Sequence, residues 1–474
     1  MVQQKKVLTE PKHKQFLPLQ KKIMGNYLFF LLAFWPILFV IPLHGQQLDS
    51  ADYVNFYHKH INSYEYGDTL NIQTKIAGLS RAWAEARFNF SNFDQIPALN
   101  WDSLYLEYLP KVMEANSKLE YFQILTRFYT YLQDGHSMIV APFTLWDSLY
   151  AALPIEAKLI ENQVVIIKNY NTEEAYSTLR AGTIIKKING IAIHDYVDEN
   201  VSPYVSFTSS ADSISRIFSY HFTRGNLNEL IVLEMINTKG ETFTKSFNRL
   251  PQHQINTLIK KPKIRLNQLS DDISLLSIPS FDQKNQSLLF DSIFNKLQTS
   301  NALIIDLRKN NSGLLFNAYE LLSYLLLENY VVETILSPVY FPFKRARQIT
   351  SYEMRIQTNS RQPLWGLQFD GPIAVLIDNH THGNAEIFLS VLKKRNNTYL
   401  FGSGTSGASG QSVVFRLPDN ATGYISASRN LTANRMEFYR VGIQPDIETK
   451  ASLDQILSGE DAALEAAIQF LKEK

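Results

Sequence analysis

Two short stretches carry residue types that could do chemistry. The first is NHTHGN, Asn379 to Asn384, a turn between the apolar run GPIAVLID and the helix-patterned AEIFLSVLKKR. Ala385, Phe388, Leu389 and Leu392 recur at helical spacing, so the segment reads as strand, tight turn, helix. Many hydrolases mount a nucleophile in this setting, because a helix N-terminus offers free N–H groups and the positive end of its dipole. The second stretch is YLQDGHSMIV, where Asp134-Gly135 marks a turn and His136 opens a strand. An imidazole there is a candidate general base. The simpler alternative is a hydrogen-bonded strand-end residue kept for packing.

Other candidates are weaker. Ser403, Ser406, Ser409 and Ser412 lie in or beside the Gly/Ser loop SGTSGASG, which reads first as a turn-rich connection and second as the home of a displaced nucleophile. His380 and His382 flank Thr381 and could share one face of an extended segment, but no third ligand is visible, so no metal site is expected. No cofactor is implied either.

Composition narrows the class. The 474 residues suggest roughly two to four domains. Net charge is +1, from 46 basic and 45 acidic residues without blocks, which gives no support for a nucleic-acid partner. There is no cysteine, so disulfides, thiolate chemistry and N-terminal lipidation of a cysteine are excluded. The 29 Phe and 24 Tyr read as core and packing residues. A basic lead before Tyr27–Leu43, an almost wholly apolar run, reads as an export signal, with a retained membrane anchor as the alternative and Met24 as an alternative start. Either reading puts the body of the protein outside the cytoplasm, in a periplasm or cell envelope, with membrane contact only through this N-terminal segment.

The elements that must position the candidates follow in order. Residues 1–46 are the signal or anchor, and 47–148 carry apolar residues at three- and four-residue spacing, a helical cap. In that region Asp102 and Ser103 sit where a helix would start. Residues 149–250 alternate apolar and polar, with Gly182 and Gly190 bracketing a short strand in LRAGTIIKKINGIAIHDY. This stretch resembles a PDZ domain, with Thr183 where an Asp is usual; a generic small β-domain is the alternative. Residues 251–266 read as a linker, and 267–474 alternate strands and helices, as in an α/β layer with a largely parallel sheet.

Three further segments, ALIIDLRKNNSG, GPIAVLIDNHTHGNAEIF and VGIQPDI, in this order and spacing, resemble the tail-specific or C-terminal-processing serine peptidases. The tricorn-like branch is closest in pattern, and interphotoreceptor retinoid-binding protein is a relative. The resemblance spans about residues 75–450 and implies an α/β + β multidomain fold with a crotonase-like, ClpP-like core. It places the nucleophilic serine three residues before Glu386, where this chain has Gly383. The lysine of one branch falls at Ala408, at the family's spacing, while the histidine of the other matches His136 and Ser137 matches the residue after it. Glu437 is the nearest match for a supporting Glu, although its spacing is off. Backbone oxyanion positions fall at Ser312, Gly313 and Asn384. Glycine cannot attack a carbonyl. The expectation is therefore an inactive member that binds polypeptide segments or C-termini, or an apolar small ligand. The alternatives are an active peptidase with a displaced serine and His136 as base, and a scaffold or regulator of an active paralogue.

Overall fold

In the computed structural model the described residues are 70–474, except 220, 283–285, 312, 348–351, 365–367, 433–434 and 451. The apolar run Tyr27–Leu43 and residues 47–69 of the expected helical cap lie outside them. Among the described residues no helix is long and apolar enough to cross a membrane. The chain folds as a mixed α/β protein with several sheets.

The central sheet has six strands, in the order Ile447–Glu448, Thr398–Gly402, Ile373–Ile377, Ala302–Asp306, Ile273–Ser277 and Arg265–Gln268. All neighbours are parallel except the last pair. Parallel strands covered on both faces read as continuous apolar runs, and Ile373–Ile377 is buried at every position. One face packs against helices Gln286–Leu297, Leu315–Leu325 and Asn384–Leu392, with Phe281, Phe294 and Phe388 in that core. Ala463, Ala467 and Leu471 of the terminal helix Ala462–Lys472 cover the other face. Arg308 fastens this helix, pairing with Asp306 at 2.8 Å and with its N-cap Asp461 at 2.7 Å.

Residues 252–258 form a helix and 265–268 a strand, so most of the expected 251–266 linker is regular structure. Before it, five antiparallel strands (Ile155–Ile160, Gln163–Asn169, Ile184–Ile188, Ile231–Ile236 and Thr242–Phe247) enclose their own core with helices Ile193–Asn200 and Ser210–Ser219. Burial along Ile231–Ile236 alternates as the sequence does. The N-terminal helices are Ile72–Asn89, Trp101–Glu114 and Lys118–Thr130. The second starts beside Asp102 and Ser103, where a start was expected, with Asn100 as the N-cap, accepting the N–H of Ser103 at 2.9 Å. These helices share a core with Ile139 and with Phe415 and Ile425 of the hairpin Ser412–Arg416/Thr422–Ser426. A long antiparallel pair, Tyr330–Tyr340 with Tyr352–Arg361, was not expected from the sequence.

Gly402 ends the strand that feeds the Gly/Ser loop. Its φ is +121°, and an added Cβ would lie 2.0 Å from the Ile377 carbonyl oxygen. Gly402→Ala should cost about 3 kcal/mol or more, through backbone strain and steric overlap. Urea unfolding checks this; a wild-type midpoint would contradict it.

Candidate functional site

The turn after Ile373–Ile377 is built on Asp378. Its Oδ1 accepts the N–H groups of Lys309 and His380, each at 3.0 Å. Thr381 closes the turn: its hydroxyl donates to the Leu307 carbonyl at 3.0 Å and accepts the Asp378 N–H at 3.1 Å. The His382 N–H donates to Asn310 O. The chain then enters the helix at Gly383, with φ +64° and ψ −119°. An added Cβ there meets no atom within 4 Å. The position has room for a side chain but a backbone that strains one.

Glu386, three residues into the turn–helix junction, is fully buried. Its carboxylate accepts the N–H of Gly383 (3.1 Å), the hydroxyl of Thr405 (2.5 Å) and the N–H groups of Gly407 (2.7 Å) and Ala408 (3.1 Å). The link back to Gly383 is one half of a capping box; the other half would need a hydroxyl at the N-cap. Burial pushes the carboxyl up to about 8, against the lowering effect of Thr405 and the backbone donors. The Gly/Ser loop is thereby stitched to the turn, with further bonds donated by the Gly383 N–H to Ala408 O and by the Ser406 hydroxyl to Asn379 O. The VGIQPDI segment joins through Ile443, whose N–H donates to the Thr405 hydroxyl at 2.7 Å.

His136 reaches the same place from the N-terminal side. Its N–H donates to Asp134 Oδ1 at 2.7 Å, and Asp134, itself buried, also accepts from Asn92 and from the Tyr439 hydroxyl. Its ring lies against His382, with centroids 5.9 Å apart, and the Ser409 backbone approaches the ring. His136 Nδ1 and the Ser409 hydroxyl are both buried without a partner. Behind Gly135 stands the Asp212–Arg216 pair, 2.7 Å apart, on a helix that Ser209 caps. Burial lowers the affinity of His136 for a proton, and burial together with the His136 charge lowers that of His382 to about 3. Both rings are neutral at pH 7, the form in which an imidazole nitrogen can take a proton.

The expected residues divide in two. His136, His382, Gly383, Ala408 and Ser409 come together. Ala408 is wholly buried beside Glu386. The Asn384 side chain holds the Gly313 carbonyl at 2.8 Å, drawing the DLR loop to the helix start; Ser312 lies outside the described residues. The Ser412 hydroxyl donates to His136 O, and the Ser137 hydroxyl accepts the Ser426 N–H. Elsewhere, Glu437 pairs with Arg429 at 3.3 Å, and Tyr439 is the residue that faces Asp134. His380 turns from His382 toward Ser219, so the two do not converge. Among the described residues no three His, Asp or Glu side chains gather as a metal site would require. Asp134, Asp212, Arg216 and Tyr439 were missed by sequence reasoning. Ser209-x-x-Asp212 is a legible helix-start pattern but gives no hint of what it faces.

Two expected outcomes follow from this geometry. Glu386→Gln loses acceptor capacity against four donors and should cost about 2–4 kcal/mol in urea unfolding; a change under ~0.5 kcal/mol would contradict the clamp. For His382, the unfolded chain takes up a proton near pH 6.5 that the folded chain refuses until about 3. Its contribution is complete above that range and is lost as pH falls, by an amount on the order of 4 kcal/mol. His382→Gln should therefore flatten the loss of stability between about pH 6 and pH 4; parallel curves for the two proteins would refute this.

Comparison with known proteins now bears on this geometry. Residues 272–449 match the family model described as peptidase family S41. A carboxyl-terminal-processing protease of Picosynechococcus sp. is 27% identical over 183 residues, 39% of this chain and 37% of the relative. The match thus spans little more than a third of that relative. Among solved structures, mature CPAF complexed with lactacystin is similar with a TM-score of 0.66 at 14% identity, covering 85% of this chain and 98% of that one. The photosystem II D1 C-terminal processing protease follows with a TM-score of 0.51 at 16% identity, over 84% and 97%. A peptidase structure from Parabacteroides merdae gives 0.51 at 17%, over 85% and 97%. At these identities the structures speak for the fold, and the sequence match speaks for the family. Residues 272–449 are therefore a peptidase family S41 domain.

Proposed function

We propose that this protein is an exported family S41 member that binds polypeptide segments or C-termini and does not cleave them by a serine mechanism at the elbow. One observation carries the reading: the N-cap of helix Asn384–Leu392 is Gly383, so the elbow presents backbone and no hydroxyl. Ala408, in the opposing loop, offers no amine. The cradle around the missing group is nonetheless built, from the clamped loop, the neutral His136 and the Asn384–Gly313 tie. A relative named for carboxyl-terminal processing supports a polypeptide as ligand.

The finer architecture belongs to the same proposal. The five antiparallel strands and two helices within 149–250 fit a PDZ-like domain, the three helices before His136 fit a cap, and the parallel sheet of 267–474 fits a crotonase-like core. Export rests on the basic lead and the apolar run Tyr27–Leu43.

A second reading has its own support. The Ser409 hydroxyl is buried without a partner, and the Ser409 backbone touches His136, which brings a free hydroxyl to the residue next to the base. Incubation with an unfolded polypeptide separates the two. Binding to C-terminal peptides with the chain recovered uncut, by mass spectrometry, is expected. Cleavage abolished by Ser409→Ala would install the second reading, and no peptide affinity above background would remove the first.

A further inference from the structure

We propose that Ser219, His380 and Asp378 form a second hydroxyl–imidazole–carboxylate relay, apart from His136, in which Ser219 Oγ is a nucleophile toward small acyl and phosphonyl electrophiles. Ser219 ends the helix Ser210–Ser219, and its Oγ lies 2.6 Å from His380 Nε2. On the far side of the ring, Nδ1 lies 3.6 Å from Asp378 Oδ2. The two atoms are too far apart to be hydrogen-bonded to each other in this conformation, and both are buried without a hydrogen-bond partner. The remaining carboxylate oxygen is occupied by the N–H groups of Lys309 and His380, which fix Asp378 and the histidine backbone together.

The chemistry follows from this placement. Burial works to raise the Asp378 carboxyl, but the contact with His380 and the Lys309 N–H outweigh it and hold the group well below the usual carboxylate range. A carboxylate facing Nδ1 selects the tautomer with hydrogen on that nitrogen. The Nε2 lone pair then faces Ser219, so the hydroxyl is the donor in the 2.6 Å bond. This is the order of roles in a serine nucleophile, and such relays are recognised by geometry rather than by sequence position. Ser219 itself is buried, and the His380 side chain keeps 13% exposed, so the relay lies just beneath the surface with the imidazole as its outer member. It does not share its base with the elbow, because His380 and His382 point to opposite sides of Thr381.

In the proposed step Ser219 Oγ bonds to the phosphorus of a fluorophosphonate, its proton passes to His380 Nε2, and fluoride leaves. With a 4-nitrophenyl ester, Oγ bonds to the acyl carbon, its proton passes to His380 Nε2 and from there to solvent, and 4-nitrophenolate leaves. Water attacking the acyl-serine, with His380 as base, then releases the acid and restores the hydroxyl.

The test uses the full chain and a fluorophosphonate, with the adduct located by peptide mass spectrometry. The expected result is one adduct on Ser219, absent in Ser219→Ala, with labelling slowed about 100-fold in His380→Gln and at least about tenfold in Asp378→Asn. No adduct on Ser219, an adduct on another serine such as Ser409 alone, or an unchanged rate in a folded His380→Gln protein would overturn the proposal. Where His380→Gln does not fold, the rate of native wild type is compared with that of the wild type unfolded in urea; equal rates overturn it. Peptide binding is read separately, so either proposal can fail alone.

Discussion

The Glu386 carboxylate is what the rest of the site depends on. It is a fully buried acid meeting four donors, three of them backbone N–H groups from two segments about twenty positions apart in sequence. A backbone N–H left without a partner in a core is costly, and one side chain satisfies a cluster of them here. The elbow and the Gly/Ser loop therefore behave as one unit, and Thr405 extends it to Ile443. The parallel sheet underneath supplies the platform, since Ile373–Ile377 and Thr398–Gly402 are adjacent strands whose ends deliver the turn and the loop side by side.

Around this unit, burial rather than charge sets the chemistry. His136 and His382 are partly buried, and the desolvation favours their neutral forms, while the Asp212–Arg216 pair stands behind Gly135 and Asp134 holds the His136 N–H. The site combines a backbone clamped by hydrogen bonds with imidazoles held in the neutral form, and its turn presents Gly383 at the helix N-cap. Rigid, preformed sites lose little entropy on engaging a ligand, which suits them to binding as well as to catalysis.

Much of this was legible in the sequence, for identifiable reasons. The buried strands announce themselves as apolar runs, and helix Asn384–Leu392 by its periodicity, because both are decided by which face meets the core. The long pair Tyr330–Tyr340 and Tyr352–Arg361 was not legible: much of its second strand is exposed and polar, so no face carries a pattern. The start of helix Trp101–Glu114 was legible to within a residue, although Asp102 looks as good a cap as Asn100 until the backbone chooses. Of the candidate site, the residues in sequence motifs were found. Those brought in by tertiary contact, such as Tyr439 against Asp134 and Ser219 against His380, were not, since nothing local to either segment encodes the meeting.

The conformation of Gly383 sets a direction on change at the elbow. Its φ of +64° is comfortable for glycine and strained, by about 1–3 kcal/mol, for any residue with a Cβ. On this backbone, exchanging a serine for glycine runs downhill in folding free energy and the return runs uphill, even though the space for the side chain is open. Stability alone therefore favours glycine at this position, and a change away from it carries a folding cost that a change toward it does not.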